Sequence, residues 1–442
     1  MKKVIVFLLS FLLFVNSTSF AFATVDPSSV PNNKFGIHIT NENDMQDAVN
    51  LVNSSGGDWG YVTIVITEAE RNHDRWQQVF DQMRRLHLIP IVRLATKASG
   101  STWDAPQEAE INNWAAFLNG LNWVTENRYV VINNEPNHAT EWGGRVDPAG
   151  YAKYLKEMST ALKITSPDFF VLPAGLDPAS TNTSTTMTEN KFLTQMMAAQ
   201  PDVFNSIDGW TSHAYPNASV DIYNHELEII GKTLPVFVTE TGWPLGKYTE
   251  SQISTNLVQA YTNTWNDPKI IAITPFILNY TSSPFDIYSW KKSDGTFYNF
   301  YSDVQKIAKI AGKPTQIESG QIYAAFAEPV IFKGTDFVGA ILAKNNGESI
   351  WNQGSISIGN ESGDFNLKGF SMNGIEPTKL GLIFFRAAES QNEGVYTNSL
   401  FLTGSKSQRI TNSFSIEAGF VALDKQKISD FFSSILKKLV KI

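Results

Sequence analysis

The sequence predicts an α/β protein, a (β/α)8 TIM barrel followed by a small β-sandwich domain and a C-terminal amphipathic helix. Three observations support this fold. Short β-branched runs alternate with amphipathic helical segments eight times between residues 34 and 311, as in a closed barrel. From residue 321 onward, short alternating apolar runs are separated by turn clusters such as Asn373-Gly374, as in a sandwich. Residues 425–442 carry an apolar stripe at helical spacing.

The eight predicted strands of the barrel are residues 34–40, 59–66, 88–94, 128–135, 169–174, 207–215, 236–240 and 270–278. Amphipathic helices are predicted between them, at residues 44–52, 74–86, 106–121, 149–164, 192–199, 252–265 and 299–311. Residues 227–234 lead into the seventh strand. An open doubly wound sheet is the alternative, but no glycine-rich phosphate loop follows an early strand.

The ends of the chain resemble targeting and accessory segments. Residues 1–23 combine two lysines, an apolar run at 4–15 and an Ala21-Phe22-Ala23 cleavage site, which predicts a signal peptide and a secreted or cell-surface protein. An uncleaved membrane anchor is the alternative. The catalytic barrel is then expected at 24–313, the sandwich at 318–424 and the amphipathic helix at 425–442.

Composition excludes some classes of function. The net charge of −8 argues against a nucleic-acid partner, since such affinity rests on clustered Lys and Arg. The absence of cysteine excludes disulfides and cysteine-ligated metals. Aromatic residues make up 12% of the chain, with eleven Trp, which fits a cleft that stacks sugar rings, although core packing explains part of that number.

Two acidic residues follow buried strands in the same way. Glu240 ends the run 236–240, and the chain then breaks at Gly242 and Pro244. Glu135 follows the run 128–132 and precedes a proline, which cannot continue a central strand. In a barrel of eight, the ends of strands four and seven face each other across the mouth. Two opposed carboxylates are what cleavage of a glycosidic bond requires.

Three short motifs carry a resemblance to a known group of enzymes. Asn134-Glu135-Pro136, His213-Ala214-Tyr215 and Glu240 within T-E-T-G-W-P resemble the retaining glycoside hydrolase clan with its acids on strands four and seven, which includes cellulase-like and β-1,3-glucanase-like families. The resemblance implies that Glu135 is the acid/base and Glu240 the nucleophile. It also implies that Asn134 binds the sugar 2-hydroxyl, that Tyr215 hydrogen-bonds Glu240, and that His213 lines the subsite.

Other candidate residues are placed less firmly. Arg93 ends the third strand and either reaches the site or forms a salt bridge on the rim. Trp142 and Trp243 are candidates to stack on sugar or, alternatively, to pack beneath their loops. The resemblance implies a tryptophan that supports the sugar at the eighth strand, and Trp290 is the candidate for it. His38 and His138 lack metal-ligand spacing and are expected in the rim. We therefore expect no metal and no cofactor.

The sequence thus predicts a secreted retaining β-glycoside hydrolase that acts on β-linked polysaccharide or oligosaccharide by double displacement. The alternative is a non-catalytic glycan-binding or cell-surface protein on the same barrel. The expected partner is a carbohydrate, and the expected state is a monomer. The helix at 425–442 is expected either to dock on the protein or to make a peripheral contact with membrane or cell envelope.

Overall fold

A computed structural model of the chain describes residues 24–328, 330–332, 335–363, 365–388, 394–421 and 433. Besides a short hairpin formed by Ala98–Ser99 and Thr102–Trp103, the first part contains eight strands: β1 (Gly36–His38), β2 (Gly60–Thr67), β3 (Leu88–Ala95), β4 (Arg128–Ile132), β5 (Phe169–Pro173), β6 (Trp210–His213), β7 (Val236–Glu240) and β8 (Ile270–Ile273). Each matches a predicted strand, but several end earlier than predicted, because the last residues leave the sheet for the loops that carry the site.

Helices alternate with these strands, so the predicted α/β architecture is confirmed. They are α1 (Met45–Val52), α2 (His73–Arg85), α3 (Ile111–Gly120), α4 (Pro148–Thr165), α5 (Glu189–Ala199), α6 (Tyr223–Ile230), α7 (Glu250–Thr262) and α8 (Asn299–Gln305). α2 buries one side, with Trp76, Val79, Phe80 and Met83 turned inward. The helix predicted at 106–121 begins only at Ile111, after a 3-10 turn.

The strands form two parallel sheets, in the orders β1-β2-β3-β4-β5 and β8-β7-β6. Backbone hydrogen bonds connect the sheets on both sides: Ile273 N donates to Lys34 O (2.9 Å), and Asp208 N donates to Val171 O (2.9 Å). Side chains from six strands form one buried apolar cluster. These contacts support the predicted ring, and its complete closure stays a prediction.

The C-terminal part contains two further sheets. Their strands are β9 (Gly320–Ala327), β10 (Val330–Phe332), β11 (Phe337–Asn345), β12 (Ser357–Ser362), β13 (Asn366–Met372), β14 (Leu380–Ala388), β15 (Gly394–Thr403) and β16 (Phe414–Val421). One sheet has the order β9-β11-β14-β13 and the other β10-β16-β15-β12. Both contribute to one buried cluster, which supports the predicted sandwich. The pairing is antiparallel except between β10 and β16, which run parallel.

Two predicted segments lie outside the described residues. These are the signal peptide at 1–23 and, apart from Ser433, the amphipathic helix at 425–442. Among the helices that the structure describes, none combines the length and apolar character needed to cross a membrane.

A buried arginine connects the first part of the chain to the second. Arg84, on the inward side of α2, is 2% exposed and forms an ion pair with Asp81 (2.6 Å). It also donates to Asn122 O and Trp123 O, both at 2.9 Å. The Asn122 side chain in turn donates to Gly347 O in the C-terminal part (3.0 Å). A buried charge needs such partners, because its transfer from water is costly.

We predict that Arg84→Ala lowers the free energy of unfolding by about 3 kcal/mol, because it leaves a carboxylate and two carbonyls without their donor. Arg75 lies on the same helix but is 40% exposed and pairs with Glu42. Arg75→Ala should therefore cost less than about 1 kcal/mol. Denaturant titration of both variants checks the difference, and equal losses would contradict the assignment.

Candidate active site

Glu240 is the last residue of β7, a strand whose residues are all buried. Its carboxylate is 8% exposed and has donors from two other strands or their ends. Arg93 Nη1, from β3, lies 3.3 Å from Glu240 Oε1, and the Tyr215 hydroxyl donates to Oε2 at 3.2 Å. The structure therefore brings Arg93 to the site instead of the rim. Burial and the adjacent Glu240 raise the pKa of Tyr215 well above its usual value, so the tyrosine remains a donor.

Glu135 lies in a sharp turn three residues after the end of β4. Asn133 and Glu135 both have positive φ angles, 68° and 30°, a conformation that residues with a Cβ seldom adopt. Glu135 N donates to Gly175 O (3.0 Å), and Glu135 O accepts from His138 N (2.8 Å). The sequence correctly placed Glu135 after a strand, but the turn, and not the strand, orients its side chain.

His213, at the end of β6, lies between the two carboxylates. Its Nδ1 is 2.7 Å from Glu135 Oε1 and 3.8 Å from Glu240 Oε2. Burial lowers the pKa of His213, but the two carboxylates outweigh burial, so the pKa is raised overall. A Cβ on Gly175 would lie 2.2 Å from His213 Cδ2. Only glycine at position 175 therefore allows the imidazole to sit this close to the chain.

One polar atom each from Glu135, His213 and Glu240 can be chosen so that all lie within 4.8 Å of one another. In the described part of the chain, this is the one cluster of acidic, His or Cys side chains that is compact enough for a metal ion. The guanidinium of Arg93 already places a positive charge against Glu240. A bound cation would be repelled by that charge.

Glu135 and Glu240 open into a cleft of about 500 Å³. His213 does not line this cleft, contrary to what the resemblance implies, because its ring is buried behind the two carboxylates. Asn134 lies in the wall of the cleft, with Nδ2 3.4 Å from Glu141 Oε2 and with a buried Oδ1 that has no partner. An unpaired buried acceptor is uncommon, and rotation of the Asn134 side chain would expose it to a ligand hydroxyl in the cleft. Sequence reasoning missed Glu141, which comes six residues after Glu135 on a loop. An acid so close to a catalytic motif was the only signal for it.

Two histidines also line the cleft. His38 is buried in its floor, not its rim, and neither ring nitrogen has a partner. Burial, Arg93 and His213 hold the pKa of His38 well below its usual value, so the ring is neutral. His138 has its Nε2 2.9 Å from Asp177 Oδ2, and this hydrogen bond raises its pKa.

The three candidate stacking tryptophans are not part of the cleft, which corrects the prediction. Trp142, Trp243 and Trp290 are 3%, 7% and 3% exposed. They pack against other aromatic rings: Trp142 against Tyr151 and Tyr154, Trp243 against Trp265, and Trp290 against Phe300. With their faces covered by protein, they have no surface for a sugar. For Trp142 and Trp243, the alternative of packing beneath their loops is therefore correct.

Other aromatic residues line the cleft instead, and all come from loops or strand ends: Trp103, Tyr215, Phe276, Tyr280, Phe285 and Tyr288. The loop after β8 supplies four of them and packs on itself, with Phe285 edge-on to both Phe276 and Tyr280. Ile277 N donates to Tyr288 O (3.3 Å) at the base of this loop. The wall is therefore a compact unit attached to the barrel at its base.

No protein-family model matches the chain, and no curated protein sequence matches it. Solved structures of similar fold are glycoside hydrolases. One is a family 39 glycoside hydrolase from the gut symbiont Bacteroides cellulosilyticus WH2, at 13% identity over 83% of this chain and 82% of that chain, with a TM-score of 0.45. Another is a family 30 endoxylanase from Clostridium papyrosolvens C71, at 12% identity over 84% and 98%, with a TM-score of 0.41.

A third is a family 128 (subgroup II) endo-β-1,3-glucanase from Pseudomonas viridiflava, at 14% identity over 62% of this chain and 98% of that chain, with a TM-score of 0.43. The structural neighbours are thus glycoside hydrolases, in line with the resemblance of the sequence motifs.

Glu141 yields a prediction about pH. Burial raises its pKa to about 7 against an ordinary value of 4.5. The folded state therefore holds this proton to a higher pH than the unfolded state, and stability falls as pH rises from about 4.5 to about 7. Glu141→Gln cannot ionise and should escape this loss. Relative to the unmodified protein, the variant should gain about 2 kcal/mol between pH 5 and pH 8. Denaturant titrations at both values check this, and a constant difference would contradict it.

Proposed function

We propose that the protein is a secreted retaining β-glycoside hydrolase that cleaves β-linked polysaccharide or oligosaccharide by double displacement. One observation carries the proposal: carboxylate oxygens of Glu135 and Glu240 lie within 4.8 Å of each other, at the ends of β4 and β7 in one cleft. Retaining enzymes hold their two carboxyl groups about 5 Å apart, whereas inverting enzymes need at least about 6.5 Å to admit a water.

In the proposed reaction, Glu240 attacks the anomeric carbon and Glu135 gives its proton to the leaving glycosidic oxygen. Arg93 and Tyr215 both contact Glu240 and hold its two carboxylate oxygens in a fixed position for the attack. Glu135 is the more accessible of the two, with 22% of its side chain exposed, as a group that meets a leaving group must be. A water then enters, Glu135 takes its proton, and the hydroxide displaces Glu240 with a second inversion.

Asn134 and the aromatic residues complete the proposed binding site. The unpaired Asn134 Oδ1 would accept a hydrogen bond from a sugar hydroxyl next to the reacting carbon. Trp103, Tyr280 and Phe285 line the cleft and can offer ring faces to sugar. In this proposal the two parallel sheets are halves of one closed barrel, residues 1–23 direct export, and the enzyme works as a monomer without metal or cofactor.

The alternative is a non-catalytic glycan-binding protein on the same fold. The geometry favours catalysis, because both carboxylates keep partners on elements distant in sequence. A surface used only for binding would not need two buried or half-buried acids at this separation. Release of reducing sugar from β-glucans, xylan and mannan distinguishes the two functions.

The first prediction from this proposal concerns stereochemistry. With the carboxylates this close, the first product should have the same anomeric configuration as the substrate. Proton NMR of the anomeric signals during the first minutes of hydrolysis, before mutarotation, measures it. Product of inverted configuration would exclude the double displacement.

The second prediction separates the roles of the two acids. Glu240→Ala should abolish hydrolysis, and azide should restore turnover with an inverted glycosyl azide as product. Glu135→Ala should slow substrates with poor leaving groups by about 100- to 10,000-fold and largely spare aryl glycosides with good leaving groups, which need little acid assistance.

Glu228→Ala provides the matched control, since Glu228 is an exposed glutamate on α6, and it should retain full activity. If azide restores the Glu135 variant with inversion and leaves the Glu240 variant inactive, the two roles are reversed.

A further inference from the structure

A large apolar surface lies on the outer side of the sheet β9-β11-β14-β13. Side chains alternate between the two faces of a strand, and β14 is exposed and buried in turn from Leu382 to Ala387. The register aligns the outward side chains in two apolar rows, Ala324, Leu342 and Leu382 in one and Phe326, Ala340 and Phe384 in the other. We call these six, together with Val338 and Leu380, the outer apolar face.

The large side chains of the outer apolar face are unusually exposed. Phe326, Val338, Leu380, Leu382 and Phe384 are between 47% and 61% exposed. Soluble proteins seldom leave a contiguous apolar patch of this kind in water, and such patches mark contact surfaces. The other side of the same sheet already faces the buried cluster of the domain. Something outside the two sheets must therefore cover the outer apolar face.

The chain itself continues into a segment of suitable chemistry. Residues 425–442 carry the apolar stripe Ile428, Phe431, Phe432, Ile435, Leu436, Leu439 and Val440. At helical spacing, Lys437 and Lys441 lie on the side opposite this stripe. Ser433, the described residue of the segment, is helical and exposed, and helical spacing places it on the polar side.

The dimensions and the connection also fit. A helix of 18 residues is about 27 Å long, and the nine residues of β11 span about 30 Å. β16 ends at Val421, which pairs with Phe332, five residues before β11 begins. β16 belongs to the other sheet of the domain, but only three residues, 422–424, separate its end from the segment. The segment therefore has a high effective concentration near the whole domain.

We propose that residues 425–442 form a helix whose apolar stripe docks on the outer apolar face of the same chain. This contact covers two apolar surfaces that would otherwise both face water, and helix-on-sheet packing is a standard layer arrangement. A membrane would have to cover the stripe and the outer apolar face separately. A second copy of the chain would have to provide its stripe to the outer apolar face of another molecule. The proposal is independent of the catalytic function.

The absence of cysteine allows a direct test in the full chain. Leu382→Cys, in the centre of the outer apolar face, is combined in turn with Phe431→Cys, Ile435→Cys or Leu439→Cys along the stripe. Matched controls combine Leu382→Cys with Ser433→Cys or Lys437→Cys on the polar side. After mild oxidation, non-reducing electrophoresis and peptide mass spectrometry measure the disulfides. We expect a stripe position to cross-link within one chain about tenfold more than either control, because a disulfide requires Cα atoms within about 7 Å.

Three results would overturn the proposal. Cross-links only between chains would assign the surface to a second copy. Equal cross-linking of stripe and polar positions would mean that the stripe has no defined docking position on the outer apolar face. The stripe would be assigned to a membrane by two results together. No cross-link would form within a chain, and the protein would co-sediment with phosphatidylcholine–phosphatidylglycerol vesicles unless it carried Ile435→Lys. The unmodified chain, which has no cysteine, is the control for cross-linking. The same chain centrifuged without vesicles is the control for sedimentation.

Discussion

The buried carboxylate of Glu240 is the group on which the arrangement of the site depends. A carboxylate that is almost removed from water is unstable unless donors and positive charge surround it. Arg93 comes from β3, Tyr215 from just beyond β6 and His213 from the end of β6, and all three contact Glu240 or lie within 4 Å of it. Parallel strands that end at one edge are what bring these residues together. A shift of register in one strand would leave the charge without its partners.

Glu135, the second acid, is positioned by a different structural feature. Glu135 is positioned by a turn with two positive φ angles, and His213 can approach it only because residue 175 is glycine. Backbone conformations of this kind are costly and persist where the surrounding structure imposes them. One acid thus relies on strand register and the other on a constrained turn. This difference explains why Glu240 is the more enclosed of the two.

Much of the fold and part of the site were predictable from the sequence. Strands and helices have periodic apolar patterns, and an acidic residue between an apolar run and a Gly or Pro indicates the end of a strand. Glu135 and Glu240 were found in this way, whereas His213 and Tyr215 were expected at the site because of the resemblance of their motif to that of known enzymes. The errors concern side chains whose burial depends on tertiary packing. A tryptophan after an acid has the same local sequence whether it faces a cleft or the core, and Trp142 faces the core. Glu141 lies in a 3-10 turn and Trp103 in a two-residue strand, and both elements are too short for a periodic pattern to mark the inward-facing residues.

The loop after β8 has a consequence for how such a protein can change. Its aromatic rings pack on one another, and hydrogen bonds close it at its base. Its contacts with the strand ends beneath are made at its two ends, through Phe276 on His38 and Tyr288 on Tyr215. Insertions or exchanges between Tyr280 and Tyr288 would reshape one wall of the cleft while leaving both acids and their partners in place. Diversification of ligand preference and preservation of the reacting groups can therefore proceed separately, and grafting this loop is a natural starting point for engineering.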